Sequence, residues 1–261
     1  MRKPLLILYF LIFIYGGVFS QEKVMEVGEE LYYKVYYGFL TLGEVKVRIS
    51  DYDKKNNIYT AIASMKSYEG IPFVNIDYIF ESTIFKVKDS VYSKKFFSTE
   101  FKEGNLTHIE YIFDYDAGVI KCKKDRNWNV DFEKEVKNEQ RKRYQDGLSM
   151  FYHARINSLV NKNYIVPVFV NEEESSISYS FNMNKDVISL DISDYDISAI
   201  KIMGKIHFVG VYGLTGEFMA WLSDDNYRIP LKAKFGVTIG NITLELVKYK
   251  RQDWKPPVYG K

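Results

Sequence analysis

From Glu29 onward apolar and polar positions alternate. Leu31, Tyr33, Val35 and Tyr37 share one face of an extended segment, and Glu30, Tyr32, Lys34 and Tyr36 share the other. That is the period-two pattern of a half-buried strand. After a loop at residues 38–43, Val45, Val47 and Ile49 restart the alternation, and a polar turn leads to a third strand over residues 58–67. Gly70-Ile71-Pro72 interrupts this meander. Between Phe73 and Phe85 the apolar residues fall at 73, 76, 79, 80 and 84, closer to helical spacing, which predicts a short helix. Strands resume at 91–102, 106–115 and 119–124, and the charged stretch 126–140 reads as a strand followed by a mobile loop.

Residues 144–160 carry the clearest helical pattern. Leu148, Phe151, Tyr152, Ile156 and Leu159 form one apolar stripe, and Asp146 stands where an N-cap belongs. Strands then follow at 164–171, 176–183, 187–192, 197–203 and 207–212. A hairpin comes next: one strand at 214–220, a turn at Ser223-Asp224-Asp225-Asn226, and a second at 231–235, with a buried Trp221 entering and Pro230 leaving. A last strand covers 239–249, and from Arg251 the chain reads as a mobile tail. About a dozen short strands with no βαβ rhythm predict a mostly antiparallel sheet. Because strands twist, one long sheet must curl or close. The expected fold is mostly β: a single curled antiparallel sheet, an incomplete barrel, with one or two helices against it in one domain over residues 21–250.

Residues 1–20 change the picture of where this domain works. Arg2 and Lys3 precede an apolar run over residues 5–19, and Val18-Phe19-Ser20 supplies a cleavage site before Gln21. This is a secretory signal pattern; the run is shorter than the ~20 residues a bilayer core requires. The expected location is therefore outside the cytoplasm, in the periplasm or at the cell surface, with membrane contact only through the signal. The whole chain has 36 Lys+Arg and 34 Asp+Glu. Losing Arg2 and Lys3 leaves 34 of each and a formal charge of zero, which gives no electrostatic reason to expect nucleic acid as a partner. Cys122 is the single cysteine, so no internal disulfide forms and the core must carry stability. On a strand it reads as an inert packing residue. Aromatics are 16% of the chain, 22 of them Tyr, enough to line a concave sheet.

Chemistry-bearing residues are sparse. Asp224 and Asp225 are adjacent, so on a turn they cap backbone and on a strand they diverge; neither arrangement makes an acid–base pair. Arg228 pairs with one of them or holds an anionic ligand bidentately. Asp146 caps its helix or reaches Arg228 across the fold. His108, His153 and His207 fall on three separate elements with no metal-ligand spacing, and no cofactor motif is present, so neither a metal nor a cofactor is expected.

Three stretches carry a resemblance: Gly28-Glu29-x-Leu31-x-Tyr33 with Gly43; Gln145-Asp146-Gly147-Leu148-Ser149-Met150-Phe151-Tyr152; and Trp221-Leu222-Ser223-Asp224-Asp225 with Arg228-Ile229-Pro230. In that order they resemble an uncharacterised envelope family of Gram-negative bacteria, domain-of-unknown-function family 3108. The resemblance implies an exported protein with a fold like the lipoprotein carriers LolA and LolB, and it implies no catalytic residue. The expected function is then non-enzymatic binding of an apolar or amphipathic, lipid-like ligand on the concave face. Two alternatives stand beside it. One is a structural or protein-interaction module of the envelope with a filled core. The other is an envelope-polymer hydrolase, which requires two or three of Asp146, His153, Asp224, Asp225 and Arg228 to converge in an open cleft.

Overall fold

The computed structural model describes residues 23–71, 74–158, 161–237 and 240–260; residues 1–20, expected to be an export signal, lie outside them. Eight strands form a first meander: β1 (Glu30–Tyr37), β2 (Leu40–Asp53), β3 (Ile58–Ser67), β4 (Asp77–Val87), β5 (Ser90–Lys102), β6 (Asn105–Asp114), β7 (Val119–Arg126) and β8 (Asn129–Lys137). Helix α1 (Ser149–Asn157) follows. A second meander comprises β9 (Asn163–Val170), β10 (Glu173–Ile188), β11 (Ile197–Ile206), β12 (Gly216–Ser223), β13 (Pro230–Gly236) and β14 (Asn241–Lys250). β1 pairs antiparallel with β14, so the meanders fuse into one fourteen-stranded sheet whose edges are β8 and β9.

Tight hairpins hold the register. Glu103-Gly104, Asn127-Trp128 and Asn171-Glu172 each join directly paired residues with both central φ angles positive. Such turns match the right-handed twist of the flanking strands. At Gly43, opposite Ser67, an added Cβ would lie 2.2 Å from the Lys66 carbonyl oxygen. Only glycine lets β2 and β3 approach there.

The sheet curls until its edge strand β9 meets the inner surface of β5–β7. Phe169 packs edge-on against Tyr111, Phe113 and Tyr144, with ring centroids 5.1, 6.0 and 6.1 Å apart. Phe96, Ile120 and Cys122 complete that buried cluster. No strand ladder joins β8 to β9, so the barrel remains incomplete. The charges of β8 protect its open edge. α1 lies on the inner side. Leu148, Tyr152 and Ile156 join a core with Leu31, Val35, Val45 and Ile197. Met150 and Ala154 pack on Val166, Tyr179, Phe181, Ile202 and Phe218. The opposite, outward face carries a cross-strand row of alternating sign, Lys232–Glu245–Lys34–Glu44–Lys66–Asp77. Opposite charges directly across strands reinforce pairing.

Several expectations are corrected. In place of a helix over residues 73–85 the chain forms β4. Phe80, Ser82 and Ile84 point inward while Ile79 is 44% exposed. The apolar spacing arose from aromatic and β-branched residues on both faces of a strand held by β3 and β5. Residues 207–210 are irregular and Val211–Gly213 is one 3-10 turn, not a strand. Residues 129–137, expected within a strand-and-loop stretch, are all strand. α1 is shorter than expected, and Trp221 is half-buried instead of buried. The segment after β14, expected as a mobile tail, packs back on the sheet. Trp254 is buried, Ser198 N donates to Pro257 O at 2.8 Å, and Tyr259 N donates to Asp196 O at 2.9 Å.

Candidate functional site

The central stretch Gln145–Ser149 works as a staple. Gln145 N donates to Pro167 O and Gln145 O accepts from Phe169 N, both at 2.9 Å, which satisfies part of the open edge of β9. On its other side Tyr144 O accepts from Ser93 N at 2.9 Å and Gln145 Nε2 donates to Val91 O at 2.6 Å. One short segment thus ties the β9 edge to the start of β5. Asp146 then starts the helix: its Oδ1 accepts from Leu148 N and Ser149 N at 2.7 Å, and Ser149 Oγ accepts from Asp146 N at 2.8 Å. This is a reciprocal capping arrangement, and the Asp146 carbonyl accepts an i→i−4 bond from Met150 N at 3.3 Å. Asp146 Oδ2 accepts from the Ser82 hydroxyl at 2.5 Å. Burial pushes the Asp146 pKa up, against the lowering effect of these hydrogen bonds. Asp146 makes no contact with Arg228; it is spent on serines and backbone.

The other two motifs meet in a buried ionic centre. Arg155, fully buried on α1, pairs bidentately with Glu29 at 2.6 and 3.0 Å. Its Nε donates to Arg228 O at 3.1 Å and its Nη2 to Tyr227 O at 3.0 Å. From the C-terminal segment Arg251 brings Nη1 to 3.2 Å from Glu29 Oε2 and Nη2 to 2.8 Å from Glu26 Oε2, and donates to Lys23 O. One carboxylate therefore sits between two guanidinium groups. Burial opposes the Arg155 charge and Glu29 more than compensates, so its pKa rises. For Arg251 burial prevails and the pKa falls.

Asp225 organises the adjacent turn. Its Oδ1 accepts from Ser223 Oγ, Tyr227 N and Arg228 N at 2.8, 2.9 and 3.0 Å, and its Oδ2 from Trp254 Nε1 at 2.7 Å. Arg228 holds a φ of 50° there and lies 3.4 Å from Asp224 Oδ1. Asp224 also meets Lys185 at 3.3 Å and the Ser198 hydroxyl at 3.2 Å. So Asp224, Asp225 and Arg228 come together, as their spacing demands, but each is engaged in holding the turn. No motif or spacing in the sequence marks Glu29, Arg155 and Arg251 as a centre. Arg155 left a trace: at three and seven residues from Tyr152 and Leu148 it places a charge beside the apolar stripe, which only a buried partner permits.

Elsewhere, Trp221 donates from Nε1 to Asp186 at 2.8 Å. His153 Nδ1 lies 2.5 Å from Tyr179 Oη, and burial lowers its pKa to about 4. Burial pushes the Cys122 thiol up to about 11. Among the described residues no three His, Cys, Asp or Glu side chains gather as a metal site, and no helix is long and apolar enough to cross a membrane.

The inner concavity, expected to receive a ligand, is packed with the protein's own side chains. A groove of about 720 Å³ lies instead on the outward face of β9–β14. Met203 and Met219 face each other across β11 and β12 and are 45% and 37% exposed, and Ile165 on β9 is 81% exposed. Ser178, Ser180 and Gly236 keep the floor low, and Lys205, Glu217 and Lys234 flank it. Beneath it Gly204 lets the Phe218 ring cross β11 on the inner side, since a Cβ there would come within 2.6 Å of the ring.

These features define a barrel-like β protein whose sheet is stapled shut without a closing ladder. A family described as "Protein of unknown function (DUF3108)" matches residues 32–247, and the chain belongs to that family. A β-barrel-like protein of family DUF1849 from Brucella abortus is similar in structure. Identity is 13%, the TM-score is 0.56, and 88% of this chain and 100% of that one are covered. A protein with a YmcC-like fold from Bacteroides fragilis aligns over 87% of this chain and 97% of its own, at 8% identity and a TM-score of 0.33. No curated protein matches the chain.

Proposed function

We propose that the protein is an exported, non-enzymatic binding protein of the cell envelope that holds an amphipathic ligand in the groove on the outward face of β9–β14. The observation that carries this reading is the cross-strand pair Met203–Met219, exposed at the centre of the groove. One cross-strand row elsewhere on this side alternates in charge, whereas two unbranched thioether side chains left in water adapt well to irregular apolar partners. The volume falls within the range of small-molecule sites. The signal-like segment supports export.

The test is native mass spectrometry of the protein purified without detergent from an envelope fraction. An adduct that leaves on denaturation, and is lost in the double variant Met203→Asn/Met219→Asn, is the expected result. An adduct that the variant retains overturns the placement of the site.

A second reading rests on the β1–β2 hairpin, where Phe39 is 95% exposed beside Leu40 and Tyr37. Leaving a Phe in water forgoes ~2 kcal/mol of burial, which favours a protein contact at that tip. A partner captured from envelope extract by the parent chain and lost with Phe39→Asn supports it.

A further inference from the structure

We infer that the groove ligand is an anionic single-chain amphiphile, with its acyl chain over Met203, Met219 and Ile165 and its carboxylate or phosphate head between Lys205 and Lys234. This rests on the groove being the binding site proposed above and adds the chemistry of what it takes.

The argument comes from charge placement on the outward face. Several lysines of that face are ion-paired with carboxylates of neighbouring strands. Lys232 pairs with Glu245, Lys66 lies 3.6 Å from Asp77, Lys95 lies 2.6 Å from Glu110, and Lys46 lies 2.7 Å from Glu30. In the groove two lysines stand beside exposed methionines without such a partner. Lys234 stands between Met219 on β12 and Thr243 on β14. Lys205 stands between Ser178 on β10 and Glu217 on β12. Neither lysine forms an ion pair with any described residue, Lys205 despite facing Glu217 in register. Two unpaired ammonium groups against one carboxylate leave the lining with a net positive charge. Lys234 is directly adjacent to Met219, which in turn opposes Met203. Lys205 on β11 and Lys234 on β13 bracket Met219 and Glu217 of β12, so the apolar centre has an excess of positive charge beside it, which complements a ligand with an anionic head and an apolar chain. Lysine suits this role as a mobile point charge on a long apolar stem, which itself extends the greasy floor.

The full chain, after signal removal, is titrated calorimetrically below the critical micelle concentration with four probes. They are dodecyl phosphate, dodecyl maltoside, dodecyltrimethylammonium and inorganic phosphate. The expected result is that dodecyl phosphate binds at least about tenfold tighter than dodecyl maltoside, the size of one charge-assisted contact. The double variant Lys205→Gln/Lys234→Gln should remove that difference while binding of dodecyl maltoside stays within about twofold. Raising the salt should narrow the gap in the parent protein.

Equal binding of the phosphate and maltoside probes, with no effect of the lysine replacements, overturns the inference and leaves the apolar groove standing. Preference for the trimethylammonium probe overturns it in favour of Glu217. Inorganic phosphate displacing dodecyl phosphate also overturns it, since the site then recognises a free anion and not an amphiphile. Failure of every chain-bearing probe to bind sinks the underlying groove reading itself. Near-ultraviolet circular dichroism of the variants establishes that they remain folded.

Discussion

The two ends of this molecule's polar chemistry contrast sharply. Around Glu29 and Arg155 charges are buried and paired, bidentately in the case of Arg155 and Glu29, and drawn from the N-terminal segment, α1, the β12–β13 turn and the C-terminal segment. Around Met203 and Lys234 side chains are exposed or half-buried, Lys205 and Lys234 form no ion pair with any described residue, and the lining is drawn from six consecutive strands of one meander. The first region joins Glu29 and Arg228 of two motif stretches to Arg155 and Arg251 from outside them, and the second contains no motif residue. Distinctive polar residues in a sequence thus mark, in this protein, the places where distant segments must be locked together. Removing one partner of a buried pair strands the other charge in low dielectric, so such residues resist change whether or not a ligand ever meets them. A binding surface built from Met, Lys and Ser has no comparable signature.

The comparison predicts an order of effects. Glu29→Gln should be the most damaging, removing about 3–5 kcal/mol of unfolding free energy because both Arg155 and Arg251 lose their shared carboxylate. Urea denaturation reads this directly, and a loss under about 1 kcal/mol would break the idea of a lock. The double variant Glu29→Gln/Arg155→Met should lose less than the sum of the single changes.

Acid should act through His153. Its pKa in the folded protein is near 4, below the ordinary 6.5, because burial disfavours the imidazolium. The unfolded chain therefore takes up the proton first. The contribution is fully present above pH 6.5 and is lost as the pH falls towards 4, on the order of 3 kcal/mol in all. His153→Gln should flatten that window of the stability–pH curve; an unchanged slope would show that the imidazole is not excluded from water.

Asp146→Ala should cost about 2 kcal/mol, the loss of a helix cap plus unsatisfied N–H groups at Leu148 and Ser149. Hydrogen exchange should report it first in α1 and along the stapled edge of β9. At the other extreme, Met203→Asn/Met219→Asn should change stability by no more than about 0.5 kcal/mol while abolishing any adduct. A large loss of stability there would erase the distinction between a working surface and a structural one.

Much of the fold was legible because period-two alternation is a local property. Leu31, Tyr33 and Val35 are buried and Lys34 is exposed as their positions require. Residues 73–85 misled because a strand with partners on both edges and apolar groups on both faces need not alternate. The candidate site was legible only in part. The closeness of Asp224, Asp225 and Arg228 is fixed by a six-residue turn. Their engagement by Trp254, Ser198 and Lys185 is set by segments up to 39 positions away along the chain (Lys185 to Asp224).

By itself the sequence determined that the chain would be a mostly antiparallel sheet, with a capped helix beginning near Asp146 and a tight turn after Trp221. Those features depend on side-chain alternation and on hydrogen bonds within a few residues. Only the tertiary structure decided that β1 and β14 fuse two meanders, that Tyr144 and Gln145 tie the β9 edge to β5, and that Glu29 lies between Arg155 and Arg251. It also decided that the inner concavity is filled and the open groove lies on the other face. These depend on which distant segments share a low-dielectric interior and on how far a twisted sheet curls, and neither is written at any one position of the chain.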